Sequence, residues 1–383
     1  MKYEALTEFC DLNMGQSPDS KTYNEQGDGM PFYQGNADFG EINPETRVWC
    51  SKPVKVASEG DILISVRAPI GAMNIAAEKC CIGRGLAALT PKLNKCSQKY
   101  LYYALESKID VLVSKGTGST FKAISKKVLA ETMIPSYDKE KQQQITDSLS
   151  KIDVLIADRK QQLIEMNLLV KSRFIELFGD LADPKCRWTK EKIVDACKNP
   201  DDIKCGPFGT QLSKDEYCDS GVAVWEIPQI NSGFTAQPTH FLTDEKANQL
   251  EAYSIKSGDI AMSRKGNVGR CAVFPDTMED GIIHSDVLRI RVNNELVLPV
   301  FMMHQLHYSR AVQHQIELVS SGAIMAGINV TKLKQIEVHI PPMELQKQFA
   351  NFVAQVDKSK LAVQQSLQEL ELLKKSLMQQ YFG

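Results

Sequence analysis

Residues 140–179 read EKQQQITDSLSKIDVLIADRKQQLIEMNLLVKSRFIELFG, and residues 344–383 read ELQKQFANFVAQVDKSKLAVQQSLQELELLKKSLMQQYFG. Set side by side, Glu140 meets Glu344, Gln142 meets Gln346, Asp153 meets Asp357, and Phe178-Gly179 meets Phe382-Gly383. The copies lie 204 positions apart throughout (140 to 344, 179 to 383), with no gap. An internal repeat decides how many structural units a chain holds, so it is read before anything else.

Each copy reads as one long helix. Apolar residues fall at Ile145, Leu149, Ile152, Ile156, Leu163, Met166 and Val170, and again at Phe349, Val353, Val356, Val363, Leu367 and Leu370. Steps of three and four in a narrow seam are the pattern of a coiled coil rather than the wide apolar stripe of a globular helix. Arg159 and Lys360 interrupt the two seams. Neither copy contains proline or an interior glycine, and Gly179 stands where a helix stops. About forty residues at 1.5 Å each make a rod of roughly 60 Å.

The chain of 383 residues has room for two ordinary domains. Its 43% apolar content is that of a globular protein, and its formal net charge of −2 gives no overall basic field. Nucleic-acid binding must therefore come from local patches among the 45 Lys and Arg residues. No apolar window is long enough to span a membrane. The opening MKYEALTEFCDLN lacks a signal core, so a cytoplasmic location is expected. The ten cysteines form no C-x-x-C pair, and Cys197, Cys205 and Cys218 are too far apart for a zinc knuckle. Reduced structural thiols and no metal are expected, and His304 and His307 have no Cys or acidic companion at ligand spacing.

Outward from the helices, residues 1–138 form the first globular block. It has Gly- and Pro-rich turns, short strand-like runs at Asp61–Val66 and Leu86–Leu89, a helix over Lys99–Val113, and a strand closing at Met133-Ile134-Pro135. Residues 180–340 repeat the plan. Gly60-Asp61-Ile62 matches Gly258-Asp259-Ile260, Ser65 matches Ser263, Gly71 matches Gly269, and Cys81-Ile82 lines up with Ile282-Ile283. The fold class is α+β: two tandem mixed domains (1–138 and 180–340) and two long spacer helices (139–179 and 341–383), an internal duplication. If the seams pair within the chain, the helices run antiparallel with a domain at either end and an approximate twofold axis between. Duplex DNA is a ligand of matching symmetry.

At this point the sequence resembles the specificity subunits of type I restriction–modification systems, over essentially its whole length. The marks are G-x-S-P at Gly15–Pro18, PFYQGNADF at Pro31–Phe39, GPFGTQLSKDEY at Gly206–Tyr217, GDIAMSRKGNVGR at Gly258–Arg270, and PP-x-E-L-Q at Pro341–Gln346 with the paired helices. The first copy departs from the pattern in PSYDKEKQ, which lacks the second proline before Gln142. The resemblance implies two target-recognition domains, each reading half of a bipartite, asymmetric double-stranded DNA site. The helices would then set the gap between the halves and dock two methyltransferase subunits, with motor-nuclease subunits joining. It also implies no chemistry in this chain and no cofactor bound to it, with S-adenosylmethionine, ATP and Mg carried by the partner subunits.

The residues agree. An adenine methyltransferase needs an N/D-P-P-Y/F loop, and neither Asn199-Pro200-Asp201-Asp202 nor Ile340-Pro341-Pro342-Met343 fits. Gly116-Thr117-Gly118 and Gly83-Arg84-Gly85 lack the strand–turn–helix setting of a cofactor loop and read as turns or DNA-facing loops. Two other readings stand beside the leading one: a methyltransferase whose catalytic half is unrecognised, and a coiled-coil nucleic-acid adaptor blind to sequence. Phosphates are met by Lys, Arg and Ser, and base edges by Arg, Lys, Asn and Gln. The candidate DNA contacts are Arg67, with its counterparts Arg264, Lys265, Asn267 and Arg270 in the second domain. Next come Lys115, Ser119 and Lys122, with Ser320 and Ser321 at the matching place. Last are Gln34 and Asn36 in the first domain, with Gln229 and Asn231 in the second.

Overall fold

The computed structural model describes residues 2–118, 122–183, 185–320 and 327–383. It forms two compact units, Met1–Gln161 with Gln364–Gly383, and Gln162–Val363. Two unbroken helices, Lys139–Phe178 and Met343–Phe382, each contribute to both units. Gly179 ends the first helix at φ +76°.

In the first unit, a four-stranded antiparallel sheet runs in the order Cys10–Met14, Leu86–Pro91, Ile62–Ser65, Met73–Ile75. The strand Ile62–Ser65 is buried along its whole length. Its side chains alternate between two cores: Ile62 and Ile64 join the one under the helices, and Leu63 joins a second with Tyr33 and Ile82. A strand covered on both faces has no polar alternation, which explains its continuous apolar run. The second sheet orders Tyr23–Asn24, Trp49–Cys50, Met30–Tyr33, Cys80–Ile82 and Val56–Ala57, with Met30–Tyr33 and Cys80–Ile82 parallel. Lys2–Ala5 pairs with Met133–Ser136, which leads into the first long helix.

The second unit repeats this order. Its first sheet runs Ile203–Cys205, Val287–Ile290, Ile260–Ser263, Cys271–Val273. Its second runs His240–Leu242, Val222–Trp225, Gly281–Ile283, Ser254–Ile255, again with one parallel pair, Val222–Trp225 beside Gly281–Ile283. Thr189–Lys192 pairs with Glu337–Ile340 ahead of the second long helix.

The helices are seated on the domains by matching residues. Gln142, 2% exposed, donates from its amide nitrogen to the carbonyls of Lys95 and Tyr137, both at 2.9 Å. Gln346, fully buried, donates to Leu296 O at 3.1 Å and Pro341 O at 2.8 Å and accepts from Leu298 N at 2.8 Å. Ile145, Leu149 and Ile152 are buried in one unit, and Phe349, Val353 and Val356 in the other. The middle of each seam (Ile156, Leu163, Met166; Val363, Leu367, Leu370) is half-buried. Phe382 packs on Tyr100 with ring centroids 5.6 Å apart, and Phe178 packs on Phe301 at 4.6 Å. The Tyr3 hydroxyl donates to Gly383 O at 2.6 Å, and Trp188 Nε1 to Phe178 O at 2.7 Å.

Contacts inside each unit show the helices antiparallel. In the first, Asp153 binds Lys374 at 2.9 Å and Arg159 Nε meets Ser366 Oγ at 3.3 Å. In the second, Arg173 stacks over Phe352 and Phe178 lies 5.6 Å from Phe349. As one helix advances the other retreats. The residues interrupting the seams are accommodated: Arg159 as above, and Lys360 by Asp357 at 3.1 Å. One expected element differs. The helix over Lys99–Val113 is two helices, Gln98–Glu106 and Ile109–Ser114. At the break, Lys108 turns its Nζ to the Phe382 carbonyl.

All ten cysteines are free, and burial pushes Cys80 and Cys197 up to about 12. Among the described residues no helix is long and apolar enough to cross a membrane. Spacing also hid one contact: Cys271 Sγ lies 3.4 Å from His307 Nε2, which accepts the Cys271 N–H at 3.2 Å. Burial raises the thiol to about 12 and, with Arg270 and His304 nearby, lowers the imidazole to about 4. Both groups are therefore neutral, a packed pair rather than a thiolate nucleophile.

Three outcomes are expected. Phe382→Ala costs about 3–5 kcal/mol of stability by leaving a core cavity. Gln346→Leu costs about 1–3 kcal/mol by leaving buried backbone groups unbonded. Both are read by urea denaturation of the full chain. The unfolded chain protonates His307 near 6.5 and the folded chain only near about 4. The folded state is thus penalised as pH falls through that window, and fully keeps this contribution above it. Thermal midpoints measured across that range should fall more steeply for the wild type than for His307→Gln.

Candidate nucleic-acid interface

In the first unit, the strand Ile62–Ser65 ends in a turn through Arg67 and Gly71. The Ser65 hydroxyl lies 2.8 Å from the carbonyls of Arg67 and Pro69, and Gly71 N donates to Ser65 O at 2.9 Å. Gly71 has φ +95°, and a Cβ there would lie 2.7 Å from Ile109 Cγ2, so the turn demands glycine. The loop that begins at Lys115 returns against this turn. Ile124 N donates to Val66 O at 2.9 Å, Ala68 N to Lys122 O at 3.0 Å, and Arg67 bridges Ala123. Val66 N donates to Gly85 O at 2.9 Å and Gly85 N to Gln34 O at 3.2 Å. Backbone bonds thus bring the three candidate loops of this unit to one edge. Arg67, Lys115, Lys122 and Gln34 are exposed there, and Asn36 is half-buried.

The second unit builds the same edge. Gly269, at φ +84°, donates to Ser263 O at 3.1 Å; Ile328 N donates to Arg264 O at 3.1 Å; Lys265 bridges Gly327; Arg264 N donates to Asp286 O at 3.0 Å. Lys265, Asn267, Arg270 and Asn231 are exposed. Arg270 Nη2 lies 3.5 Å from Asn231 O. Arg264 is half-buried, with Nη1 3.1 Å from Ser285 O and its guanidinium 5.0 Å from the Phe208 ring centre. Lys265 is paired with Asp286 at 2.8 Å.

Two expected residues are buried. Gln229 is 2% exposed; its amide nitrogen donates to Gln237 O at 2.9 Å and its oxygen accepts from Glu226 N at 3.1 Å. It braces its own short helix and offers nothing to a base edge. Sheet register explains the mispairing. Tyr33 pairs with Ile82 and Trp225 with Ile283, so Gln34 corresponds to Glu226 rather than Gln229. Ser320 closes the helix Arg310–Ser320, is 9% exposed, and bonds Glu317 O at 3.2 Å. Ser119 and Ser321 lie outside the described residues. Sequence reasoning also missed Phe208, 51% exposed, and the acids of the second edge, Asp286 and Glu226, the latter 2.7 Å from His240 Nδ1. Phe208 sits inside the quoted GPFGTQ string, two residues past the glycine that crosses onto the sheet, and that placement was its signal.

Arg, Lys, Asn and Gln on a shared edge can meet phosphates and base edges together. A sequence family described as the type I restriction modification DNA specificity domain matches residues 1–166 and 205–372. The chain belongs to this family. It is a family of DNA-specificity domains. Among similar proteins of Methanocaldococcus jannaschii, the putative type I restriction enzyme MjaX specificity subunit is 45% identical over 157 residues. That stretch covers 40% of this chain and 36% of the relative, so the match spans little more than a third of the relative's length. The type I restriction enzyme MjaVIII specificity subunit is 24% identical over 84% of this chain and 78% of its own. A solved structure of a type I restriction–modification S subunit from M. genitalium covers 100% of this chain and 96% of its own at TM-score 0.59 and 16% identity, a likeness of fold.

Within this specificity-family fold, the two edges should respond differently to loss of charge. Among the described residues Arg67 has no acidic partner, whereas Lys265 is neutralised by Asp286. Arg67→Ala should reduce the salt dependence of duplex binding by about one unit of slope. Lys265→Ala should change it less. Titrations over a series of salt concentrations check both.

Proposed function

We propose that the chain is the DNA sequence-recognition subunit of a type I restriction–modification complex, with each unit reading one half of a bipartite, asymmetric site. The observation that carries this is the same edge assembled twice, through the bonds Ile124 N to Val66 O and Ile328 N to Arg264 O, with different side chains displayed on each. One framework presenting two sets of side chains suits two half-sites of different sequence. The contacts are Gln34, Asn36, Arg67, Lys115 and Lys122 in the first unit, and Asn231, Arg264, Lys265, Asn267 and Arg270 in the second. Domain limits of 1–138 and 180–340 then leave the helices as the ruler between half-sites.

The helices also dock partners. Leu168 and Leu169 are 56% and 51% exposed, and their repeat equivalents Leu372 and Leu373 are 69% and 47% exposed. Repeated apolar pairs fit two copies of one partner, the methyltransferase subunit, with motor-nuclease subunits added to that assembly. S-adenosylmethionine, ATP and Mg then belong to those partners, and the complex works in the cytoplasm.

Methylome sequencing of cells carrying the methyltransferase partner, with and without this chain, tests the reading. A split motif of methylated adenines that requires the chain is expected; a continuous motif, or none with an active partner, overturns it. Removing one heptad from each helix (152–158 and 356–362) should shorten the gap while both halves persist, and an unchanged gap would sink the ruler.

A further inference from the structure

Arg84 is exposed at the tip of the turn Gly83-Arg84-Gly85, and among the described residues nothing binds its guanidinium. The turn is held tightly. A Cβ on Gly83 would lie 2.9 Å from Gln34 Cα, and one on Gly85 would lie 2.4 Å from Gln34 O. Only glycine on both sides lets the arginine stand directly beside Gln34. Its own N–H donates to Ser17 Oγ at 3.2 Å.

The second unit fills the same place by another route. Gly15 N donates to Leu86 O at 2.9 Å, and Gly206 N to Val287 O at 3.2 Å, so Ser17 corresponds to Phe208 and Arg84 to Ser285. The Arg264 guanidinium lies against both of those counterparts, 5.0 Å from the Phe208 ring centre and 3.1 Å from Ser285 O. Position 264 corresponds to Val66, which is 3% exposed and apolar. Where the strand-end residue is valine, the turn carries arginine; where it is arginine, the turn carries serine. Each unit thus carries one arginine beside this part of the fold, supplied by a different loop.

We propose that Arg84 and Arg264 are the matching base-reading arginines of the two units, each reading a guanine in its own half-site. This rests on the recognition function above. An arginine fork matches the O6 and N7 acceptors of guanine in the major groove, and lysine cannot reproduce both bonds in fixed geometry. Stacking on Phe208 and the contacts of Nη1 with Ser285 O at 3.1 Å and Cys205 Sγ at 3.6 Å orient the Arg264 guanidinium and leave Nη2 to meet the base. The Gly83 and Gly85 contacts hold the backbone under Arg84.

The test is the methylome of the complete complex with Arg84→Ala, Arg84→Lys and Arg264→Ala. Either Arg84 variant should relax one G·C position, in one half of the motif only, by roughly tenfold to hundredfold in preference. Arg264→Ala should relax a position in the other half. An unchanged motif in Arg84→Ala overturns the assignment, and so does an Arg84→Lys motif identical to the wild type, which marks a phosphate contact. Should methylation fail altogether, the same variants are read by selection from randomised duplexes: lost preference at one G·C position supports the proposal, and full preference overturns it. A wild-type complex with no split motif overturns the recognition reading itself, and this assignment with it.

Discussion

A glutamine amide buried in the first turn of each long helix anchors the structure. Gln142 and Gln346 reach back to carbonyls of the domain that precedes them, and the protein interior makes those bonds costly to lose. A helix held only by its apolar seam could rotate by a residue and still bury leucines. A buried amide has no second position in which its partners are satisfied. The glutamine therefore sets the angle at which each helix leaves its domain, and Phe382 and Phe178 lock the opposite ends against Tyr100 and Phe301. Each unit thus holds one polar clamp and one aromatic socket for the long helices.

The repeat at 204 was legible because these clamps need the same residue type at the same helical phase. Gln142 and Gln346, and Phe178 and Phe382, could not drift apart without losing their partners. The strand Ile62–Ser65 and its counterpart were equally plain, since the turns after them require glycine at Gly71 and Gly269. Less legible was anything set by pairing between distant strands. The alignment of Gln34 with Gln229 failed because the loops between the strands differ in length, and only the parallel register of Trp225 on Ile283 identifies Glu226 as the counterpart.

At the edges, convergence of loops was readable and side-chain orientation was not. Gln229 and Asn231 look alike in composition, yet one is sealed by Gln237 and the other is open to solvent. Burial of a polar residue depends on carbonyls that no local pattern advertises. Arg84 shows the reverse. Its flanking glycines are a visible signal, but their meaning depends on how close Gln34 comes, which is a fact of packing.

On the function proposed above, the two edges divide binding from discrimination differently. Among the described residues the first displays Arg67 and Arg84 without an acidic partner. The second sets Asp286 on Lys265, which cancels that cation, and places Glu226 2.7 Å from His240. A carboxylate repels phosphate, but at a base edge it accepts from the cytosine N4 amino group, which a cation cannot do. Such a surface gives up sequence-blind attraction for contacts that count only when the correct base is present. A duplicated framework makes this division possible. The strands and clamps hold the geometry constant, so the side chains at each edge are free to diverge without disturbing the fold that presents them.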